Sequence, residues 1–109
     1  MSDKVFPYLE GLLDLTARRQ QALMSNIANI DTPGYKARDV AFKTEMGKAV
    51  SSTRVVLRDS PDKENGNNVN LEQEMTEMTK NGLQYVTLVQ YLNQKMKTLR
   101  SSIMDGGRI

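Results

Sequence analysis

Apolar side chains in the last third of the chain recur at alternating steps of four and three residues, and this pattern constrains the fold more than any other feature. It runs without a break from Leu71 to Ile103. Such spacing aligns the side chains in one stripe of an α-helix, as in the seam of a coiled coil. We therefore expect a long helix whose seam contains Leu71, Met75, Met78, Gly82, Tyr85, Val89, Leu92, Met96, Leu99 and Ile103.

The same stepping occurs near the N-terminus. Pro7 suits the first position of a helix, because a proline there loses no hydrogen bond. The pattern predicts a helix from Pro7 to Ile30, which at 1.5 Å per residue would be roughly 36 Å long. Its apolar seam positions are Leu9, Leu13, Leu23, Ile27 and Ile30, with Thr16 and Gln20 between them.

The two seams match when the helices are laid antiparallel with Ile30 beside Leu71. In that register the bulky Gln20 lies opposite Gly82, so that large faces small as close packing requires. The expected fold is mainly α, with two long helices forming an antiparallel coiled-coil hairpin and a short irregular or weakly β middle segment. One domain at most fits in 109 residues.

The predicted register leaves the end of the second helix uncovered. Met96, Leu99 and Ile103 run past the start of the first helix, where only Phe6 and the preceding residues are available. An exposed apolar surface of this kind often marks an interaction site. Two explanations remain open, a partner molecule or an N-terminal tail that folds over the surface.

Residues 26–35 end the first helix. Thr32 is biased out of the α region by the following proline, and Pro33-Gly34 suits the centre of a type II turn, in which glycine takes a positive φ. Asp31 can accept backbone N–H groups in an Asx turn. A helix stop without further function is one interpretation. The unusual feature is the three short polar side chains of Asn26, Asn29 and Asp31 around two isoleucines.

Three segments follow from these patterns: an N-terminal helix with its turn (1–35), a middle excursion (36–69) and a C-terminal helix (70–109). We expect the middle excursion to be partly mobile, with weak alternation at 39–43 and a short strand at 54–58. Asn65-Gly66 would signal a hairpin only if strands flanked it. The whole loop fails as a calcium-binding EF-hand, because Pro61 and Lys63 occupy ligand positions.

The second helix has recognisable end signals. Asn70 is a good N-cap, and Gln73 can complete a capping box. Glu72 and Glu74 suit the positive end of the helix. Glu74 and Glu77 share a face beside Lys80, and we expect this face to be solvated. Gly106-Gly107 marks the expected stop.

The composition argues against catalysis. The chain has no histidine and no cysteine, which removes the commonest general base and the commonest soft nucleophile. We therefore expect that the chain is not an enzyme and that it binds no cofactor and no metal. The formal charge of +2 is nearly balanced and argues against a nucleic-acid binder. No apolar run is long enough to span a membrane, and Met1-Ser2-Asp3-Lys4 lacks the apolar core of a cleavable signal peptide.

Residues 28–36, Ala-Asn-Ile-Asp-Thr-Pro-Gly-Tyr-Lys, closely resemble the N-terminal signature of bacterial flagellar axial proteins, the rod, hook and hook-associated subunits. The similarity extends upstream through residues 17–27 and downstream through residues 36–42. Residues 66–97 are similar to the closing helix of the same family. The short middle segment favours the proximal rod proteins over the distal rod and hook subunits, which insert a large β-rich region.

The resemblance implies a non-enzymatic building block of the flagellar basal body rod, a tube that crosses the periplasm and transmits torque. It implies that the partners are other copies of the chain and other rod or axial proteins. Export would occur through the flagellar type III apparatus, without a cleavable signal peptide. The resemblance further implies that the turn contacts neighbouring subunits. Its residues are Asn26, Asn29, Asp31, Thr32, Pro33, Gly34 and Tyr35.

A soluble helical adaptor or export chaperone of the flagellar secretion system is the alternative, because it would also be helical, cysteine-free and non-catalytic. A chaperone should form a stable, discrete dimer. A rod subunit should instead gain helical order on assembly, since a single thin hairpin hardly offsets its ordering entropy.

Overall fold

A computed structural model describes residues 5–44 and 51–105. The chain forms helix α1 (Val5–Ala28), strand β1 (Arg38–Thr44), strand β2 (Ser51–Leu57) and helix α2 (Leu71–Met104). The two helices lie side by side, and the two strands form an antiparallel hairpin that packs mainly on α1. The molecule measures 68 × 26 × 15 Å. The expected helical hairpin with a weakly β middle segment is confirmed.

Helix α1 is shifted by two residues relative to its predicted ends. It begins at Val5, so that Pro7 is its third residue. The proline is still tolerated, because the first N–H groups of a helix have no intrahelical acceptor. The helix ends at Ala28, and the Ile30 N–H donates to the Ile27 carbonyl at 3.2 Å in a tighter turn.

The N-cap of α2 is confirmed, but the capping box is not completed. The Asn70 side chain accepts a bond from the Gln73 N–H at 3.0 Å. The Gln73 side chain, however, lies 3.2 Å from the Ser60 hydroxyl and accepts from it. Helix α2 ends at Met104 with Asp105 as its C-cap, and the predicted stop at Gly106-Gly107 lies outside the described residues.

The hairpin contains both predicted strand segments. Residues 39–43 lie in β1, and the predicted strand 54–58 lies in β2 except for Arg58, which follows its last residue. Arg38 is opposite Leu57 in the register, and the connecting residues 45–50 are outside the described part of the chain. Asn65-Gly66 falls in the loop between β2 and α2 rather than between strands, and Gly66 has a left-handed φ of 79° there.

The two helices are paired in nearly the predicted register, but α2 is rotated about its axis relative to the prediction. Asn81 donates to the Thr16 carbonyl at 2.8 Å and to the Gln20 side chain at 3.2 Å, one residue from the predicted neighbour Gly82. Glu74 and Asn81 are buried against α1, whereas Met75 is 57% exposed. This orientation is possible because the Glu74 carboxylate and the Asn81 amide N–H groups find hydrogen-bond partners on α1, although the buried Asn81 Oδ1 has none among the described residues.

A buried ion pair joins the two helices to the hairpin. The Glu74 carboxylate is fully buried, forms an ion pair with Arg58 and accepts a bond from the Asn26 amide at 2.9 Å. Arg58 also lies 3.9 Å from Asp39, which pairs with Arg19 of α1 at 3.2 Å. The expectation that Glu74 lies on a solvated face is therefore wrong. The pairing with Arg58 makes its burial tolerable.

The cap of α2 yields a first prediction. Asn70→Ala removes the acceptor for the Gln73 N–H, and we expect a loss of about 1 kcal/mol in the free energy of unfolding. Asn93→Ala, at an exposed position inside the same helix, should be neutral or slightly stabilising. Urea denaturation followed by circular dichroism measures both changes. Equal effects of the two substitutions would contradict the assignment of Asn70 as the cap.

The buried pair yields a second prediction. Arg58→Met leaves the Glu74 carboxylate buried without its cation, and we expect a loss of about 3 kcal/mol or more. The double variant Arg58→Met with Glu74→Leu should recover most of this loss, because both charges are then gone. The same denaturation experiment compares the two variants with the original chain. A double variant no more stable than Arg58→Met would show that the pair does not govern stability here.

Candidate assembly interface

The turn after α1 has the geometry that Pro33-Gly34 predicts. The Tyr35 N–H donates to the Thr32 carbonyl at 3.2 Å, and Gly34 has a φ of 73°. These are the closing bond and the positive φ of a type II turn. The turn therefore directs the chain from the end of α1 toward β1.

Two asparagines of the signature hold the turn from inside. Asn29 donates to the Ser25 carbonyl at 2.8 Å and accepts from the Thr32 hydroxyl at 3.0 Å. Asn26 is fully buried, and its amide bonds both the N–H and the carbonyl of Arg38, at 2.9 and 2.8 Å. These side chains are committed to the fold of this chain.

The remaining part of the signature is on the surface. Asp31, Thr32, Pro33 and Gly34 are all exposed, and Tyr35 is half-buried, with its hydroxyl donating to the Asn26 side chain at 3.3 Å. The signature thus divides into an inner set that shapes the turn and an outer set that faces solvent. Contact of the outer set with neighbouring subunits stays a prediction.

Asn67 also holds the turn, although sequence reasoning did not single it out. Its side chain donates to the carbonyls of Asn29 and Thr32, both at 2.7 Å. The Gly34 N–H donates to the carbonyl of Asn65 at 2.9 Å. The loop before α2 therefore clamps the turn after α1. The only sequence signal was the Asn-Gly-Asn-Asn segment at 65–68, which predicts a loop but does not show which carbonyls its side chains bond.

The predicted seam positions differ widely in exposure. Leu9 and Leu23 of α1 are buried, and Leu13, Ile27 and Ile30 are half-buried. On α2, Met78, Val89, Leu92 and Leu99 are half-buried. The seam residues of α2 that remain exposed are Leu71, Met75, Tyr85, Met96 and Ile103, with exposed fractions of 46, 57, 50, 50 and 70%.

Much of this exposed apolar surface lies on one side of α2. At 3.6 residues per turn, Leu71, Met75, Val86 and Met96 share a side of the helix. We call these four residues the exposed stripe. They are between 46 and 57% exposed, and Ile103 and Met104 continue the apolar surface at the end of the helix. Because Glu74 and Asn81 face α1, the adjoining apolar side of α2 is left without a partner in the described chain.

A pocket of about 290 Å³ lies between the helices beside this stripe. It is lined by Thr16, Ala17, Gln20, Met78, Asn81, Gly82 and Tyr85, none of which carries a carboxylate or a cation. The Gly82 position has no neighbouring atom within 4 Å of where a Cβ would be. The pocket therefore offers shape and apolar surface rather than acid–base chemistry. Within the described ranges, neither helix is long and apolar enough to cross a membrane.

Comparison with known proteins finds a matching family and similar chains. Residues 13–36, which include the whole turn signature, match the model of a family described as flagella basal body rod protein. The chain is 32% identical to the flagellar basal body rod protein FlgB of Bacillus subtilis strain 168, over 92% of this chain and 92% of the relative. It is 32% identical to FlgB of Salmonella typhimurium strain LT2, over 96% of both chains.

A third relative, FlgB of Escherichia coli strain K12, is 29% identical over 95% of this chain and 96% of its own length. These similarities extend through both helices and the middle segment, not only the turn. The chain therefore belongs to the FlgB family of flagellar basal body rod proteins, and it is a structural component of the rod rather than an enzyme.

Proposed function

We propose that this rod subunit associates with other copies of itself and with other rod and axial proteins by burying the exposed stripe of α2. The observation that carries the proposal is the apolar side of α2 that α1 leaves uncovered. An exposed apolar helix face of this length is unfavourable in water and typical of a surface that a neighbour covers. Helices of adjacent subunits would pack side by side around this stripe.

The strength of a single contact supports an assembly with several neighbours. Fully burying a large apolar side chain contributes about 1.5–3 kcal/mol, so four half-exposed residues provide only a few kcal/mol. Association of two molecules costs an estimated 4–15 kcal/mol in lost translational and rotational freedom. One stripe is thus too small for a tight dimer. A closed tube, in which each subunit contacts several others, supplies the missing contacts.

The outer part of the signature turn would provide a second contact. Asp31, Thr32 and Pro33 are exposed at one end of the helix pair, where the chain reverses. The turn is held by Asn29 and Asn67 from within the same chain, so its outer surface is preorganised for a neighbour. Preorganised loops lose less entropy on binding than flexible ones.

The proposed assembly is a tube that crosses the periplasm and transmits torque, and its subunits would leave the cytoplasm through the flagellar type III export apparatus. The elongated form of the molecule, 68 Å by 15 Å in its longest and shortest dimensions, suits lateral packing along an axis. The buried ion pair ties both helices to the hairpin, so that a load on one element reaches the others.

The stripe can be tested by a charge substitution. Met75→Glu combined with Met96→Glu places two carboxylates in the exposed stripe, and we expect the threshold concentration for assembly to rise at least tenfold. In the isolated chain both side chains are half-exposed, so below the assembly threshold the helix content of the variant should match that of the original chain. Light scattering measures assembly, and circular dichroism measures helix content.

The matched control for the stripe is Thr98→Glu, an exposed polar position on another side of α2. It should assemble like the original chain. Assembly by the double variant at an unchanged concentration would contradict the proposal. So would a helix content of the original chain that is complete and independent of concentration.

The two parts of the signature turn can be separated by mutation. Asp31→Ala, at an exposed position, should leave the free energy of unfolding unchanged within about 0.5 kcal/mol while weakening assembly. Asn29→Ala removes two hydrogen bonds and should lower stability by about 1–2 kcal/mol. Denaturation and light scattering together distinguish the roles. If Asp31→Ala assembled normally, the outer turn would not be a subunit contact.

A further inference from the structure

The hairpin has one covered edge and one open edge. The Arg58 N–H donates to the Ala37 carbonyl at 2.8 Å, which extends the ladder and fixes its alternation. Inward and outward backbone groups alternate along an antiparallel strand. The N–H and carbonyl of Asp39 therefore point toward β2, and those of Arg38 point away from it. The outward N–H and carbonyl of Arg38 are both bonded by Asn26 of α1, at 2.9 and 2.8 Å. Arg19 of α1 also donates to the outward carbonyl of Val40 at 3.5 Å, so α1 covers the first half of the outer edge of β1.

The same alternation exposes the outer edge of β2. Arg54 and Val56 direct their backbone groups toward β1, whereas Thr53, Val55 and Leu57 direct theirs away from it. Among residues 5–44 and 51–105, no hydrogen-bond partner is found for the outward N–H and carbonyl groups of these three residues. An edge strand with free backbone groups is a template for pairing with another extended chain.

The side chains at this edge define what could pair with it. Val55 and Leu57 lie on one face of β2 and are 64 and 66% exposed, and Arg54 is exposed on the other face. A groove of about 250 Å³ between the hairpin and α1 is lined by Arg18, Arg38 and Arg54 together with the edge strand. No carboxylate is among the residues that line it, although Arg18 bonds Asp14 nearby at 2.8 Å.

A second copy of the chain is a poor occupant. Its β1 edge is bonded by α1 at Arg38 and Val40. Antiparallel pairing of two β2 edges would bring the exposed Arg54 side chains of the two copies onto the same face of the joined sheet. Like charges in close proximity oppose association. A segment carrying carboxylates has the complementary charge.

We propose that the open edge of β2 binds an extended segment of a partner protein in which apolar and acidic residues alternate. The segment would add a third strand by bonding the backbone groups of Thr53, Val55 and Leu57. Its apolar residues would cover Val55 and Leu57, and its acidic residues would lie beside Arg54. This surface is separate from the exposed stripe of α2, so a rod subunit could use both at once.

The test uses a synthetic seven-residue peptide that alternates valine and glutamate and is capped at both ends. The Val55 N–H points away from β1, so Val55→Pro removes an outward donor without breaking a ladder bond. We expect this variant of the full chain to bind the peptide at least tenfold more weakly than the original chain. Val55→Thr keeps the donor and the β-branch and should bind within about threefold. Fluorescence anisotropy of the labelled peptide measures the affinity.

Amide hydrogen exchange supplies a readout specific to strand addition. On peptide binding, the amides of Thr53, Val55 and Leu57 should become protected, while those of Arg54 and Val56 should change little. Thr53→Pro, at another outward position, serves the same purpose if Val55→Pro does not fold. The Met75→Glu with Met96→Glu variant should bind the peptide normally, which keeps this result independent of rod assembly.

Three results would overturn the proposal. The first is binding of the peptide by both proline variants as tightly as by the original chain. The second is equal binding of a peptide with lysine in place of glutamate, since the charge argument would then fail. The third is protection of the same three amides without peptide, together with a dimer in sedimentation equilibrium, which would assign the edge to a second copy.

Discussion

The structure depends on one carboxylate placed inside it. Glu74 has no access to solvent, and both of its oxygens are engaged, one by the Arg58 guanidinium and the other by the Asn26 amide. Removing such a charge from water is costly unless it is paired and hydrogen-bonded. Because its partners come from different elements, the helix pair and the hairpin must be in place together. A core of few buried apolar residues is supplemented here by a polar centre.

This polar centre also explains why the apolar side of α2 remains available. With Glu74 and Asn81 directed at α1, the helix presents Leu71 and Met75 elsewhere. A helix that turned all its apolar residues toward α1 would bury more hydrophobic surface within one chain and leave less for a neighbour. In a rod protein, polar specificity inside the subunit and apolar surface outside it are compatible requirements. Nothing in the described contacts or in the relatives favours an adaptor or a chaperone instead.

The features that sequence reasoning predicted are those with a local cause. The four-three pattern identified α2, Asn70 identified its cap, and Pro33-Gly34 identified the turn, because each signal lies within a few residues of its consequence. The burial of Glu74 was predicted wrongly, since its environment is set by Arg58, sixteen positions earlier. The clamp formed by Asn67 has acceptors 38 and 35 positions upstream. Sequence shows an amide in a loop but not the distant carbonyls it reaches.

The direct bond between Asn81 and the Thr16 carbonyl joins positions 65 apart in the chain. Closing so long a loop must precede the gain from the contact, and proteins rich in such pairings fold slowly. The first helix on its own lacks the tertiary packing that supplies most of the stability of helices in proteins. A newly made chain is therefore expected to stay open until its last third is available. This would suit the proposed export, in which the polypeptide is threaded through a narrow passage before it takes shape.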